Sequence, residues 1–73
     1  MEELATRILR QFSDLGQDSL DLHALLEAGG NDTAARDRVV DLVAELVRDN
    51  LLEELGSDYY AITVAGRQAL NQP

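Results

Sequence analysis

The chain has 73 residues, no cysteine, and 14 acidic against 6 basic residues, which gives a formal net charge of -8 at pH 7. This length allows one domain with a single core, and 45% hydrophobic residues are enough to fill that core. The absence of cysteine excludes disulfides and cysteine-bound zinc, and the negative charge disfavours polyanionic partners.

The beginning of the chain shows no pattern typical of export or membrane insertion. Met1 is followed by two glutamates, where a signal peptide would have basic and then apolar residues. No apolar run approaches the roughly 20 residues that span a bilayer. We therefore expect a soluble, cytoplasmic protein that has no membrane partner.

The first predicted helix runs from about Glu2 to Ser13. Arg7 and Arg10 lie on its polar side, and Glu3 and Asp14 are each four residues from one of them, the spacing of surface ion pairs. We interpret this side as a solvated face rather than a basic contact patch. At the helical repeat the apolar residues fall on the other side: Met1, Leu4, Ala5, Ile8, Leu9, Phe12 and Leu15.

A shorter second helix is predicted between two turns. Leu15-Gly16-Gln17 ends the first helix, and Ser19-Leu20 can form a single strand step that pairs with a later hairpin. Asp21 is a suitable N-cap for a helix from Leu22 to Ala28, because its carboxylate can accept from the first backbone amides. Gly29-Gly30 ends this second helix.

The longest amphipathic segment is a third predicted helix, from Thr33 to Asn50. Its N-cap is Asn31, Asp32 or Thr33, and Asn50 ends the helix because asparagine tolerates the left-handed conformation better than any residue but glycine. The apolar residues fall within an arc of roughly 160°, which is wide enough to pack against two other elements. They are Ala35, Val39, Val40, Leu42, Val43, Leu46 and Val47.

A β-hairpin is predicted after the third helix. Leu51 to Leu55 and Tyr59 to Ile62 are β-prone runs, joined by the three-residue turn Gly56-Ser57-Asp58. Tyr59 and Tyr60 are adjacent, so one tyrosine should face the core and the other solvent. The first strand fits less well, since alternation puts a glutamate on the same side as two leucines.

The last part of the chain resembles a known family. Thr63 can cap a final helix from Val64 to about Asn71, from which Leu70 reaches the core. The run Arg48-Asp49-Asn50-Leu51-Leu52, the run Tyr60-Ala61-Ile62-Thr63-Val64-Ala65-Gly66-Arg67, and Leu70 together resemble the end of a winged-helix domain. In that family a Gly-Leu pair closes the third helix, a wing hairpin follows, and a Thr-x-x-Gly-Arg element opens the last helix. Here Asn50 replaces the usual glycine, and the wing is short.

The resemblance implies a fold for residues 1–73 as one compact domain. That fold is mainly α with a small β-hairpin, a winged helix-turn-helix. The second helix, the tight turn and the long third helix form the helix-turn-helix unit. The order and spacing of the elements carry this resemblance more than any single motif.

Residues able to do chemistry are few. His23 and Glu27 are four apart and can bind one metal ion together, but no cysteine or second histidine completes a site, so a surface ion pair is the better interpretation. Glu53 and Glu54 point to opposite faces of a strand and make a poor acid–base pair. Gly29-Gly30 lacks the lysine and the spacing of a phosphate loop. We expect no enzyme activity, metal, cofactor or small-molecule substrate.

Nucleic acid is the partner that the resemblance implies. Winged-helix proteins most often place the third helix in the major groove, where phosphate contacts need positive charge. The outer face of the third helix carries Asp37, Asp41, Glu45 and Asp49 against two arginines, and the wing adds three more acids. If DNA is bound nevertheless, the arginines available to it are Arg36, Arg38, Arg48 and Arg67.

Two functions therefore compete. The first is a non-catalytic protein-interaction module, either a homodimer or an adaptor for a basic or larger partner. The second, a DNA-binding transcriptional regulator, is disfavoured by the charge. For the first function, we expect the small core to leave uncovered Leu9, Leu42, either Leu52 or Leu55, and one of Tyr59 and Tyr60. The expected contact residues are Leu42, Leu52, Leu55, Tyr59 and Tyr60.

Overall fold

The structure is a computed structural model that describes residues 2–30 and 32–71. Within these residues the chain forms four helices and one antiparallel sheet of three strands, with the strand order β1-β3-β2. This arrangement confirms a compact, mainly helical domain with a small β-hairpin. In chain order the elements are α1 (Glu3–Asp14), β1 (Ser19–Asp21), α2 (Leu22–Ala28), α3 (Thr33–Arg48), β2 (Leu52–Gly56), β3 (Tyr59–Ile62) and α4 (Val64–Leu70).

The short strand β1 joins the first part of the chain to the hairpin. Ser19 lies opposite Ala61 and Leu20 lies opposite Tyr60, so the predicted strand step at Ser19-Leu20 is confirmed. β3 is consequently the central strand, with its backbone paired to β1 on one side and to β2 on the other. The segment between α1 and α2 is thereby held in one sheet with the hairpin that follows α3.

The helix caps follow from local sequence. The Asp21 carboxylate accepts a hydrogen bond from the Ala24 amide at 2.9 Å, and the Thr63 hydroxyl accepts one from the Gly66 amide at 2.9 Å. Both predicted caps are thus confirmed. Gly29 is the C-cap of α2, as predicted, and the following glycine has a positive φ.

The ends of α3 differ slightly from the prediction. Asp32 is the N-cap by position, although its side chain makes no capping hydrogen bond, and Asn31 lies outside the described residues. The helix ends at Arg48 rather than at Asn50. Asn50 nevertheless adopts φ 65°, so it makes the left-handed turn that was expected of it.

The hairpin turn is tighter than predicted. β2 extends to Gly56, and only Ser57 and Asp58 connect the strands, with φ 52° and 63°. Positive φ at both central residues gives a turn whose twist matches that of the flanking strands. Leu55 is the extra residue of a β-bulge, since its neighbours in β2 pair with consecutive residues of β3. The predicted three-residue turn is therefore wrong.

Side-chain alternation decides which residues of the hairpin face the core. Leu52 lies opposite Ile62 and both are buried, whereas Glu53 lies on the outer face and is exposed. The side on which alternation places Glu53 is therefore the outer face of the sheet, and Leu55 is exposed as well. Tyr60 is partly buried and packs against the core, and Tyr59 is exposed. The prediction that the two tyrosines face opposite ways is confirmed.

The core is formed where α1, α2, α3 and the sheet meet. It takes in Leu9 and Leu42, so the expectation that these two leucines are uncovered is wrong. Of the alternatives Leu52 and Leu55, Leu52 is buried and Leu55 is exposed. Conversely, Leu15 and Val40 are exposed, although both belong to the predicted apolar faces. The largest fully buried side chains are Ile8, Leu9, Phe12, Leu25, Val39 and Leu52.

The Thr-x-x-Gly segment packs the start of α4 against the residues between α3 and β2. The Thr63 hydroxyl donates to the Asn50 carbonyl at 2.7 Å, and the Thr63 amide donates to the Leu51 carbonyl at 3.2 Å. A Cβ atom at Gly66 would lie 2.3 Å from the Leu51 carbonyl oxygen and 2.8 Å from the side chain of Ile62. Glycine is required there because α4 approaches the chain that leads into β2.

Leu46 lies at the centre of the buried side of α3, and this position generates a stability prediction. We expect Leu46→Ala to lower the free energy of unfolding by about 2 to 5 kcal/mol through lost burial and a cavity. Glu45→Ala, on the exposed side of the same helix, should change it by less than about 0.5 kcal/mol. Thermal and urea unfolding measure both variants. Equal losses would mean that the faces of α3 are assigned incorrectly.

Candidate interaction surface

An open groove runs between α3 and the hairpin. Its volume is about 250 Å³. We call it the α3–hairpin groove and define it by the residues that line it, six of which are apolar or aromatic and one acidic. These are Leu22, Val40, Val43, Ala44, Val47, Glu54 and Tyr60.

The groove exists because the apolar arc of α3 is wider than the surface that the core covers. Val43 is buried, but Val40 is 47% exposed, Ala44 is exposed and Val47 is only partly buried. Val40, Ala44 and Val47 follow the i, i+4, i+7 spacing, so they form one stripe along the helix. This apolar stripe is the wall of the groove on the α3 side.

Tyr60 forms the opposite wall, next to a carboxylate. It lies on central strand β3 directly opposite Glu54 of β2. Burial raises the pKa of the Tyr60 phenol, and the negative charges of Glu54 and Asp58 raise it further. The tyrosine hydroxyl therefore lies in a negative field at the edge of an apolar surface.

The charges around the groove are mostly negative. Glu54 lines it, and Asp58 is close enough to affect the ionisation of Tyr60. On the exposed part of α3 next to the stripe, the helical repeat places Asp37 and Asp41 together with two arginines. The charges on α3 cancel, so the negative charge next to the groove comes from Glu54 and Asp58 on the hairpin side.

The five predicted contact residues do not form one surface. Tyr60 lines the groove, whereas Leu55 and Tyr59 are exposed elsewhere on the hairpin, at 52% and 47%. Leu42 and Leu52 are only 3% and 1% exposed, so neither is accessible to a partner. The prediction overlooked Val40, because a position at the border of an amphipathic arc cannot be assigned to core or surface from periodicity.

The arginines expected for DNA are largely engaged with acids. Arg38 forms an ion pair with Glu2, and hydrogen bonding to that carboxylate raises the pKa of Arg38. Arg67 forms an ion pair at 2.5 Å with Asp18, which lies 49 positions earlier in the sequence. The other two, Arg36 and Arg48, remain on α3. Arg48 lies 4.0 Å from a glutamate one turn earlier, and Arg36 forms no ion pair within residues 2–30 and 32–71.

The predicted surface ion pairs occur only in part among the described residues. His23 lies 3.5 Å from Glu27, which is the contact that their spacing predicts. The predicted pairing of Arg7 and Arg10 with acids one turn away does not occur within 4.0 Å in the described part of the chain. These two arginines line a polar cleft between α1 and α2, where Gln11 donates to the backbone of α2 at 3.1 Å.

Comparison of the chain with protein families, with curated proteins and with solved structures finds no match. Among the described residues, no group of three or more histidine, aspartate or glutamate side chains is placed to hold a metal ion. No described helix is both long and apolar enough to cross a membrane. The groove and its charges are therefore the features on which a functional proposal can rest.

The environment of Tyr60 generates a pH prediction. Its pKa is raised above the usual value of about 10 for an unfolded chain, so its contribution to stability is present below that pH and is lost as pH rises through the folded-state pKa. Glu54→Gln should lower the pKa of Tyr60, because one negative charge is removed. NMR titration of the ring carbon attached to the phenol oxygen measures the pKa of Tyr60 in the unchanged chain and in the Glu54→Gln variant. A Tyr60 pKa at or below the ordinary value, or one that does not respond to Glu54→Gln, would contradict this electrostatic description.

Proposed function

We propose that the chain is a winged-helix module that acts through protein–protein contact, with the α3–hairpin groove as the contact surface. The observation that supports it is the uncovered apolar stripe on α3, formed by Val40, Ala44 and Val47. Apolar grooves beside a helix are typical receptors for segments of other proteins. The module binds and does no chemistry of its own.

The order of the elements supports the winged-helix part of the proposal. Two short helices, a turn, a long third helix, a hairpin and a final helix follow one another, as the resemblance implies. The Thr63 cap and the close approach at Gly66 give a physical reason for the Thr-x-x-Gly-Arg element that carries the resemblance. A fold of this kind does not by itself determine what is bound.

DNA binding is the alternative, which the same resemblance favours and the charges oppose. A third helix that enters the major groove must bring positive charge to the phosphates. On α3, Arg38 is held by Glu2, and Arg48 has Glu45 beside it. The apolar stripe also occupies part of the exposed surface of α3, where a helix that contacts DNA would carry polar side chains. We therefore rank protein contact ahead of DNA.

The main test places a photo-reactive benzoylphenylalanine at position 40 of the full chain, in the cells that produce the protein. We expect irradiation to give a discrete cross-linked species that contains a second polypeptide. The matched control is position 64, since Val64 is also an exposed helical valine, at 75%, but does not line the groove. The proposal fails if position 40 gives no cross-link, or the same products as position 64.

A second test concerns the DNA alternative. We predict no binding to random-sequence duplex DNA at micromolar protein in low-salt buffer, because carboxylates on α3 and the hairpin oppose the approach of phosphates most strongly where screening is weakest. Fluorescence anisotropy measures this, and a random-site selection extends it to specific sequences. An enriched consensus whose binding tightens as salt falls, and is lost in Arg36→Ala or Arg38→Ala, would reverse the ranking.

A further inference from the structure

The length of the α3–hairpin groove suits a helix. Its apolar stripe extends from Val40 to Val47, which is about 10 Å along the axis at 1.5 Å per residue. A partner helix of two turns spans the same distance and places side chains at i, i+4 and i+7 on one face. The apolar stripe of a partner helix can therefore pack against the stripe of α3 along the whole groove.

A partner strand suits the groove less well. The hairpin wall is formed by Tyr60 on β3, and β3 is the central strand of the sheet. The β3 backbone is already hydrogen-bonded to strands on both sides, and edge strand β2 lines the groove with the Glu54 side chain. Side-chain packing therefore fits the groove better than an added β-strand.

The charges indicate which residues flank the apolar side chains of the partner. Glu54 is the charged residue among those that line the groove, and the charge of Asp58 also acts on the Tyr60 phenol. On the α3 side, two arginines balance Asp37 and Asp41, so the negative charge at the groove comes from the hairpin. With a net charge of -8 for the whole chain, long-range attraction also favours a cationic partner.

A second copy of the chain is a poor occupant for the same reason. Two copies would bring equal net charges of -8 together. A symmetric contact through the groove would also place the two Glu54 carboxylates at the same interface, and like charges across an interface are unfavourable. A partner with the opposite charge avoids both effects.

We propose that the α3–hairpin groove receives an amphipathic helix of a partner protein, whose apolar side chains pack between Val40 and Tyr60 and whose flanking lysine or arginine residues face Glu54. This inference rests on the proposed function and adds the conformation and charge of the partner segment. The contact is a packed apolar centre with charges at its rim, so the apolar side chains supply most of the affinity and the charges select the partner.

The test uses three synthetic helical peptides of about four turns. The first has leucine at the i, i+4 and i+7 positions with lysine on both flanks, the second has glutamate in place of lysine, and the third keeps lysine but has serine in place of leucine. Two-dimensional ¹H–¹⁵N NMR of the full chain locates each peptide and gives its affinity. We expect the first peptide to shift the amide signals of Val40, Ala44, Val47 and Tyr60 and to bind at least about tenfold more tightly than the other two.

Variants of the chain sharpen this result. Val40→Ser should weaken the binding of the leucine–lysine peptide by about fivefold or more. Val64→Ser, the matched change outside the groove, should leave this affinity unchanged. Glu54→Gln should weaken it by about two- to fivefold and reduce its salt dependence, as expected for a rim charge. Melting temperatures show whether each variant is folded, and all three positions are exposed.

The outcomes separate this inference from the proposed function. If the glutamate peptide binds in the groove as tightly as the lysine peptide, the inferred charge of the partner is wrong and the groove remains a contact surface. If the lysine–serine peptide binds equally well, or the leucine–lysine peptide binds elsewhere or not at all, the inference is overturned. Sedimentation and concentration-dependent NMR shifts test for self-association. If the chain associates with itself through the groove, the occupant is a second copy and the inference of a partner helix is overturned. Failure of the cross-link at position 40 as well would overturn the proposed function.

Discussion

The packing of α3 against the rest of the domain is the constraint on which the structure depends. Val39, Leu42, Val43 and Leu46 are all buried, and α3 contacts α1, α2 and β2. In a chain of this size, with no disulfide, a core of this kind must supply most of the stability. The rest of the domain nevertheless covers only part of the apolar arc of α3. The part that stays uncovered forms one wall of the α3–hairpin groove. The feature that organises the fold therefore also creates the candidate functional surface.

The sheet determines how that groove is shaped. Along central strand β3, side-chain alternation puts Tyr60 on the inner face next to α3, where the ring packs on the core and still borders solvent. Close approach at Gly66 brings α4 against the residues that lead into β2, which fixes the hairpin relative to the helices. A hairpin that is held in this way can present Glu54 and Tyr60 as a rigid wall. A rigid wall favours recognition of a helix, since little conformational freedom is lost on binding.

The distribution of arginines links the electrostatics to the choice between partners. Arg38 and Arg67 connect distant parts of the chain to Glu2 and Asp18, so they act within the molecule. Such exposed ion pairs contribute little stability individually, but they neutralise cations that a nucleic-acid surface would need. Next to the groove, Glu54 and Asp58 form no ion pair within the described residues. Their charge and the apolar stripe together support the proposed cationic, amphipathic partner segment.

Local sequence was enough to determine the elements of this protein, their order and several of their ends. The caps at Asp21 and Thr63 and the left-handed turn at Asn50 depend on residues a few positions apart, and such short-range interactions can be predicted from sequence. The bulge at Leu55 depends on cross-strand pairing, and the burial of Leu42 and Leu52 and the exposure of Val40 depend on how widely other elements cover α3 and β2. These contacts join residues far apart in the chain, and helical periodicity gives only the direction of a side chain, not what lies there. For that reason the tertiary structure alone decided that the border of the α3 arc is a groove rather than part of the core.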